Sequence, residues 1–174
     1  HDVIYGEAGD DHLEGGYGDY TIDGGEGSDD LYGYHGDDHL VGGAGDDLLR
    51  SDYSKLSRSY GSGNDTLEGG AGNDELRGYT GDDLYIGGTG NDTIEDTGGD
   101  DTYLFNLGDG QDTISDSAGA SDTLTFGVDV DKYTVKFEHI GDNLVLSIDG
   151  TTDSITFTNW FNQYGPGYIV ENIT

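Results

Sequence analysis

One nine-residue pattern recurs eleven times without loss of frame, with units beginning at positions 6, 15, 24, 33, 42, 51, 60, 69, 78, 87 and 96. The clearest copies read GGEGSDDLY (24–32), GGAGDDLLR (42–50), GGAGNDELR (69–77) and GGTGNDTIE (87–95). They condense to G-G-x-G-x-D-x-U-x, with U a large apolar residue. A period this short makes each unit a supersecondary piece that buries its apolar face by stacking on its neighbours, so the repeat constrains the architecture before any other feature.

Each position in the unit has a physical reason. Glycine at positions 1, 2 and 4 opens backbone angles closed to residues with a Cβ, so the first six residues turn tightly with their carbonyls converging. Asp at position 6 adds a carboxylate to that ring. Positions 7 to 9 alternate polar, apolar, polar, the period of a short strand with one buried face. Two units then make one turn, and successive turns stack as parallel strands about 4.8 Å apart. Stacking brings the Asp of each unit beside the Asp eighteen residues later. Oxygen cages of this kind suit a hard cation, Ca2+ in particular, which takes six to eight oxygens in flexible geometry. One buried apolar side chain per nine ordered residues, with like charges stacked, leaves the fold dependent on the ion, so binding and folding become one process.

These units resemble the RTX (haemolysin-type) calcium-binding nonapeptide repeats. The resemblance implies an all-β chain: a right-handed parallel β-roll, a form of β-solenoid, capped by a short antiparallel β flanking region. It also implies the ligand set. One loop gives carbonyls at positions 2 and 4 and the carboxylate at 6; the loop one turn on gives carbonyls at 1 and 3 and its carboxylate. Transferred to this chain, the set is Glu7, Gly9 and Asp11; Gly24, Gly25, Glu26, Gly27 and Asp29; Asp38; and Gly42, Gly43, Ala44, Gly45 and Asp47. It continues through Tyr60, Gly61, Ser62, Gly63 and Asp65; Gly70, Gly72 and Asp74; and Gly78, Tyr79, Thr80, Gly81 and Asp83. It closes with Gly87, Gly88, Thr89, Gly90 and Asp92; Asp96, Gly98 and Asp101; and Asp109 and Asp112.

The core column at position 8 reads Ile4, Leu13, Ile22, Leu31, Leu40, Leu49, Arg58, Leu67, Leu76, Tyr85, Ile94 and Tyr103, broken by Arg58. Alternation divides the position-6 column into two sides. One reads Asp11, Asp29, Asp47, Asp65, Asp83, Asp101; the other reads Asp2, Tyr20, Asp38, Leu56, Asp74, Asp92. This division predicts one full column of ions and one interrupted column, with about seven well-formed interior sites. The unit SDYSKLSRS (51–59) lacks glycine and carries Lys55 and Arg58. Its length keeps the frame, so a metal-free strand-forming turn is the plain expectation. The alternative is that it loops out, which swaps the sides of every later unit.

Beyond Leu104 two residues, Phe105 and Asn106, precede LGDGQDTIS (107–115), where Asp112 and Ile114 regain the metal and core positions. The run 100–116 resembles the segment that closes many RTX blocks, and Asp122 follows as a marginal ligand. From Gly127 the grammar changes to alternating runs at 132–140, 144–148 and 153–161 with turn signals between them, which predicts three antiparallel strands covering the end of the roll. The domains expected are therefore a roll over 1–125 and a cap over 126–174. The stretch TDSITFTNWF (152–161) resembles the domain that follows RTX blocks, and Trp160 and Phe161 are read as packing residues.

Charge narrows the partners. Asp and Glu total 37 against 6 Lys and Arg, and 30 of those acids lie in residues 1–125. That balance argues against nucleic acid and for cations. Cysteine is absent, and no stretch approaches the length of a membrane span. The chain begins inside a repeat, with Asp2 at a metal position and Ile4 at a core position, and reads as a piece of a longer protein. No HExxH, nucleophile elbow or phosphate loop is present, so no catalytic centre is expected here. His12 and His39 fall at the outward position 7 and His35 in a loop.

The resemblance implies a calcium-dependent folding module of a large secreted or cell-surface bacterial protein, a toxin or an adhesin. Its partners would be calcium ions and, during export, a type I secretion apparatus that passes unfolded chains. The competing expectation is a carbohydrate-binding or adhesion module using Tyr17, Tyr34, Tyr53 and Tyr79, or the C-terminal module of a secreted enzyme. Position 3 varies too much along the frame to form a flat ice-binding array.

Overall fold

The computed structural model describes residues 2–52, 63–118, 121–161 and 170–174. Among them every regular element is a strand. The first six are β1 (Asp2–Ala8), β2 (His12–Tyr17), β3 (Tyr20–Glu26), β4 (Asp30–His35), β5 (His39–Ala44) and β6 (Leu48–Arg50). Next come β7 (Thr66–Ala71), β8 (Glu75–Arg77), β9 (Leu84–Thr89), β10 (Thr93–Asp96), β11 (Thr102–Phe105), β12 (Gln111–Asp116) and β13 (Asp122–Phe126). The last four are β14 (Val135–Ile140), β15 (Asn143–Ile148), β16 (Ser154–Phe157) and β17 (Val170–Ile173).

Odd and even strands separate, as a two-unit turn requires. The first sheet runs β1-β3-β5-β7-β9-β11-β13-β17, and the second β14-β15-β16-β12-β10-β8-β6-β4-β2. Every pair within the roll is parallel, and position 8 faces inward throughout. Ile4 pairs with Ile22, Ile22 with Leu40 and Leu67 with Tyr85 in the first sheet; Leu13 pairs with Leu31 and Leu31 with Leu49 in the second. From Ile22 to Leu76 these side chains are fully buried and form one continuous core between the sheets. The architecture is a parallel β-solenoid, as expected.

The register corrects one expectation. Leu40 pairs with Leu67 and Leu49 with Leu76, a step of 27 residues where 18 is the rule. Ser51 fills position 1 of its loop: its N–H donates to the carbonyl of Arg77, and its carbonyl accepts from Tyr34. Gly63 fills position 4 of the same loop, because the carbonyl of Gly36 stands where a Cβ on Gly63 would lie and that of Gly63 stands where one on Gly81 would lie. Nine extra residues therefore sit inside a single loop, and the unit at 51–59 does not supply a turn of the roll. Tyr53 to Ser62 lie outside the described residues.

The C-terminal part continues both sheets. β14, β15 and β16 form the expected antiparallel meander, but β16 also pairs in parallel with β12, Ile114 opposite Phe157. β17 pairs in parallel with β13. Leu144, Leu146, Ile148, Ile155 and Phe157 join the roll's core, with Trp160 packed against it and its ring 5.4 Å from Phe157. The second sheet's C-terminal strand edge is thus paired with the meander, with no free row of backbone donors left beside β12.

Candidate metal centres

Loops entering the first sheet form one column and loops entering the second sheet form another. The 27-residue step re-pairs their carboxylates. In the second column the N–H of Asp11 donates to Oδ1 of Asp29, Asp29 to Asp47, and Asp47 to Asp74, each at 2.8 Å. Asp74 then donates to Asp92 at 2.9 Å and Asp92 to Asp112 at 3.0 Å. In the first column Tyr20 donates to Asp38, Asp38 to Asp65, Asp65 to Asp83, Asp83 to Asp101, and Asp101 to Asp122, at 2.6 to 2.8 Å. The expected run Asp47, Asp65, Asp83 on one side is therefore overturned: Asp47 stacks on Asp74, and Asp65 on Asp38. Tyr20 remains a defect at the start of the first column. Leu56 lies outside the described residues.

From Asp29 to Asp92 and from Asp38 to Asp101 each stacked Asp accepts a backbone N–H on Oδ1 and leaves Oδ2 without a partner, and Oδ2 of Asp11 is likewise unpaired. Oδ2 of Asp11, Asp29, Asp47, Asp74 and Asp92 in the second column, and of Asp38, Asp65, Asp83 and Asp101 in the first, is buried and makes no hydrogen bond. A buried unpaired carboxylate oxygen is strongly unfavourable in a folded protein. These nine atoms fall one to each interior place between successive carboxylates, five in the second column and four in the first. Burial pushes the carboxyls of Asp38, Asp74 and Asp83 up to about 7 and that of Asp112 to about 8, with neighbouring carboxylates adding to the rise. The residues fit a divalent cation held by oxygens, which would satisfy the orphaned atoms and offset the stacked negative charge.

The glycines frame each place. Gly72 has φ of +147°, and the carbonyl of Gly45 occupies the position its Cβ would take. At position 1, Oδ2 of Asp47 lies 2.5 Å from where a Cβ on Gly42 would be, so a side chain there would fill the metal's place. The predicted carbonyl donors Gly9, Gly27, Gly45 and Gly90 stack in the same way on the loop one turn away. Glu7 and Tyr79 hold positive φ without being glycine, at 74° and 78°. Tyr60, Gly61 and Ser62 lie outside the described residues.

Two features escaped the sequence reading. Position 5 forms an outer ladder. Asp37 donates its N–H to Asp19, Asn64 to Asp37, Asp82 to Asn64 and Asp100 to Asp82, at 3.0 to 3.1 Å. Asn73 donates to Asp46, and Asn91 to Asn73. The signal was available, since Asp or Asn fills position 5 in most units. The other feature is acidic. Oxygen atoms of Asp83, Asp96 and Asp101, and of Asp101, Asp116 and Asp122, lie within 4.8 Å of one another in two buried trios. Asp96 was expected to give a carbonyl, but its side chain also enters the place.

His12 and His39 sit among surface carboxylates, as their outward positions predict, while His35, expected in a loop, ends β4. His39 Nε2 is 3.0 Å from Glu68, His12 Nε2 is 3.2 Å from Glu14, and His35 stacks on Tyr17. The two metal-competent trios contain Asp alone. Among the described residues no helix is long and apolar enough to cross a membrane.

Comparison with known proteins agrees with this chemistry. The family model for the RTX calcium-binding nonapeptide repeat matches four times, over residues 1–30, 17–49, 59–94 and 78–114. The model of the haemolysin-type calcium binding protein related domain matches residues 143–174. A search of curated proteins finds no match. Among solved structures the chain is similar to the extracellular lipase LipA from Serratia marcescens, with 20% identity, 85% of this chain covered and a TM-score of 0.39. The chain spans 36% of that lipase's length. With the repeat model matching well over half of its residues, the chain belongs to the family of RTX calcium-binding nonapeptide-repeat proteins.

Proposed function

We propose that this chain is the calcium-dependent folding module of a larger secreted or cell-surface protein. Export proceeds through a type I apparatus with the chain unfolded, and extracellular calcium folds it on the far side. The observation that carries the reading is the row of nine buried, partnerless Oδ2 atoms. Without a cation these atoms disfavour the roll; with one they hold adjacent turns together, so the free energy of binding becomes free energy of folding. Far-UV circular dichroism in excess chelator and then across a calcium titration tests this. A disordered spectrum that converts cooperatively to β structure, in the sub-millimolar to millimolar range of extracellular modules, supports it. A β spectrum already complete in chelator at neutral pH overturns it.

A second reading, a calcium-dependent carbohydrate-binding or adhesion surface, is favoured by one observation. Tyr17 is 87% exposed and its ring lies 4.8 Å from that of His35, stacked at 14°. A glycan array probed with the calcium-loaded chain, alongside Tyr17→Ala, separates the two readings.

A further inference from the structure

The two columns differ in charge. In the second column each interior carboxylate at position 6 is shared by the places above and below it. The last two interior places of the first column each have a further carboxylate. Between Asp83 and Asp101 it is Asp96, and between Asp101 and Asp122 it is Asp116. These two stand at position 1, where Gly15, Gly33 and Gly78 stand elsewhere in the column, and they pair with each other across β10 and β12.

Two further observations point to a ligand. Oδ2 of Asp83 and Asp101, one in each of these places, is also buried without a partner. Asp96 and Asp116 are held in place by core tyrosines: Tyr85 donates its phenol proton to Asp96 Oδ1 at 2.6 Å, and Tyr103 to Asp116 Oδ2 at 3.0 Å. The two rings stack at 5.2 Å and replace the aliphatic side chains of the core column. A hydrogen-bond donor that fixes the orientation of a carboxylate is a usual outer support of a metal ligand.

We propose that these two consecutive places form a distinct class of cation site, in which each Ca2+ is held by three carboxylates, with Asp96 and Asp116 as the added ligands. The inference rests on the calcium-binding reading above. Sharing leaves about one position-6 carboxylate per ion along a column; the added group brings this to about two and matches the ion's charge. Ligand charge is a main determinant of calcium affinity at oxygen sites. These two ions are therefore the last to leave.

The test mixes the calcium-loaded full chain with excess fluorescent chelator and counts ions released in each phase. The expected result is two ions leaving on the order of tenfold or more slowly than the rest. Asp96→Asn and Asp116→Asn should each move one ion out of the slow phase, while Asp29→Asn leaves that phase at two. Tyr85→Phe with Tyr103→Phe should speed release of both. Circular dichroism at saturating calcium checks that each variant is folded. A single release phase in the unmutated chain, or slow-phase counts unchanged in both Asn variants, overturns the inference. Absence of calcium binding in the unmutated chain instead overturns the proposed function.

Discussion

The 27-residue step makes a prediction that cross-linking reads directly. His39 and Thr66 are Cα partners on neighbouring parallel strands, both at outward positions. The chain has no cysteine of its own, so a pair introduced by His39→Cys and Thr66→Cys has no competitor. Adjacent strands bring Cα atoms within the range a disulfide bridges. The bond closes a loop of 27 residues, for which the chain-entropy estimate is about 3 to 4 kcal/mol of stabilisation. The assay is oxidation of the calcium-loaded protein, followed by mass mapping and by comparison of oxidised and reduced denaturation midpoints. Efficient bridging with a raised midpoint is expected. Had the frame run unbroken, His39 would face Ser57, eighteen residues on. A pair at 39 and 57 that bridges readily while 39 and 66 stay reduced would refute the register and with it the pairing of both columns.

Much of the architecture could be read from the sequence because its information is local. An apolar residue at position 8, glycine at 1, 2 and 4, and Asp at 6 each answer to contacts with the next turn, and the same residues carry the solenoid. The insertion was obscured because it is as long as the repeat, so the frame passes through it unchanged. Its physical cue was the absence of glycine from 51–59. Position 4 lies against the carbonyl of the neighbouring loop, and Gly63 takes that place. The trios were hidden for a different reason. Asp96 and Asp116 depart from the unit in sequence, and their link to Tyr85 and Tyr103 spans 11 and 13 residues across the core. The parallel pairing of β16 with β12 joins segments more than forty residues apart, beyond what strand alternation alone can reveal.

Other outcomes follow from the same geometry. In chelator the roll should depend on pH with a definite sign. Asp38, Asp74 and Asp83 have folded values near 7 against 3.8 for the ordinary group, so folding takes up protons. Stability is then fully present below about pH 4 and lost as pH rises through 7, and circular dichroism in chelator should show more β structure at pH 4 than at pH 8. Less structure at acid pH would contradict this. Leu67→Ala, at a fully buried core position, should destabilise the calcium-loaded roll by about 2 to 5 kcal/mol in urea unfolding; a loss below about 1 kcal/mol would mean the inter-sheet core is not close-packed. Asp74→Asn should raise the calcium needed for folding far more than Asp46→Asn, since Asp46 belongs to the exposed outer ladder. Equal shifts would erase the distinction between ladder and ligand.

The most direct measurement is a crystal structure grown in calcium with anomalous scattering data that place the ions. The account predicts nine interior peaks. Five lie between successive carboxylates from Asp11 through Asp29, Asp47, Asp74 and Asp92 to Asp112, and four from Asp38 through Asp65, Asp83 and Asp101 to Asp122. Each peak should lie within calcium bonding distance, about 2.3 to 2.6 Å, of one orphaned Oδ2. Columns without peaks, or a first column broken between Asp38 and Asp65, would contradict it.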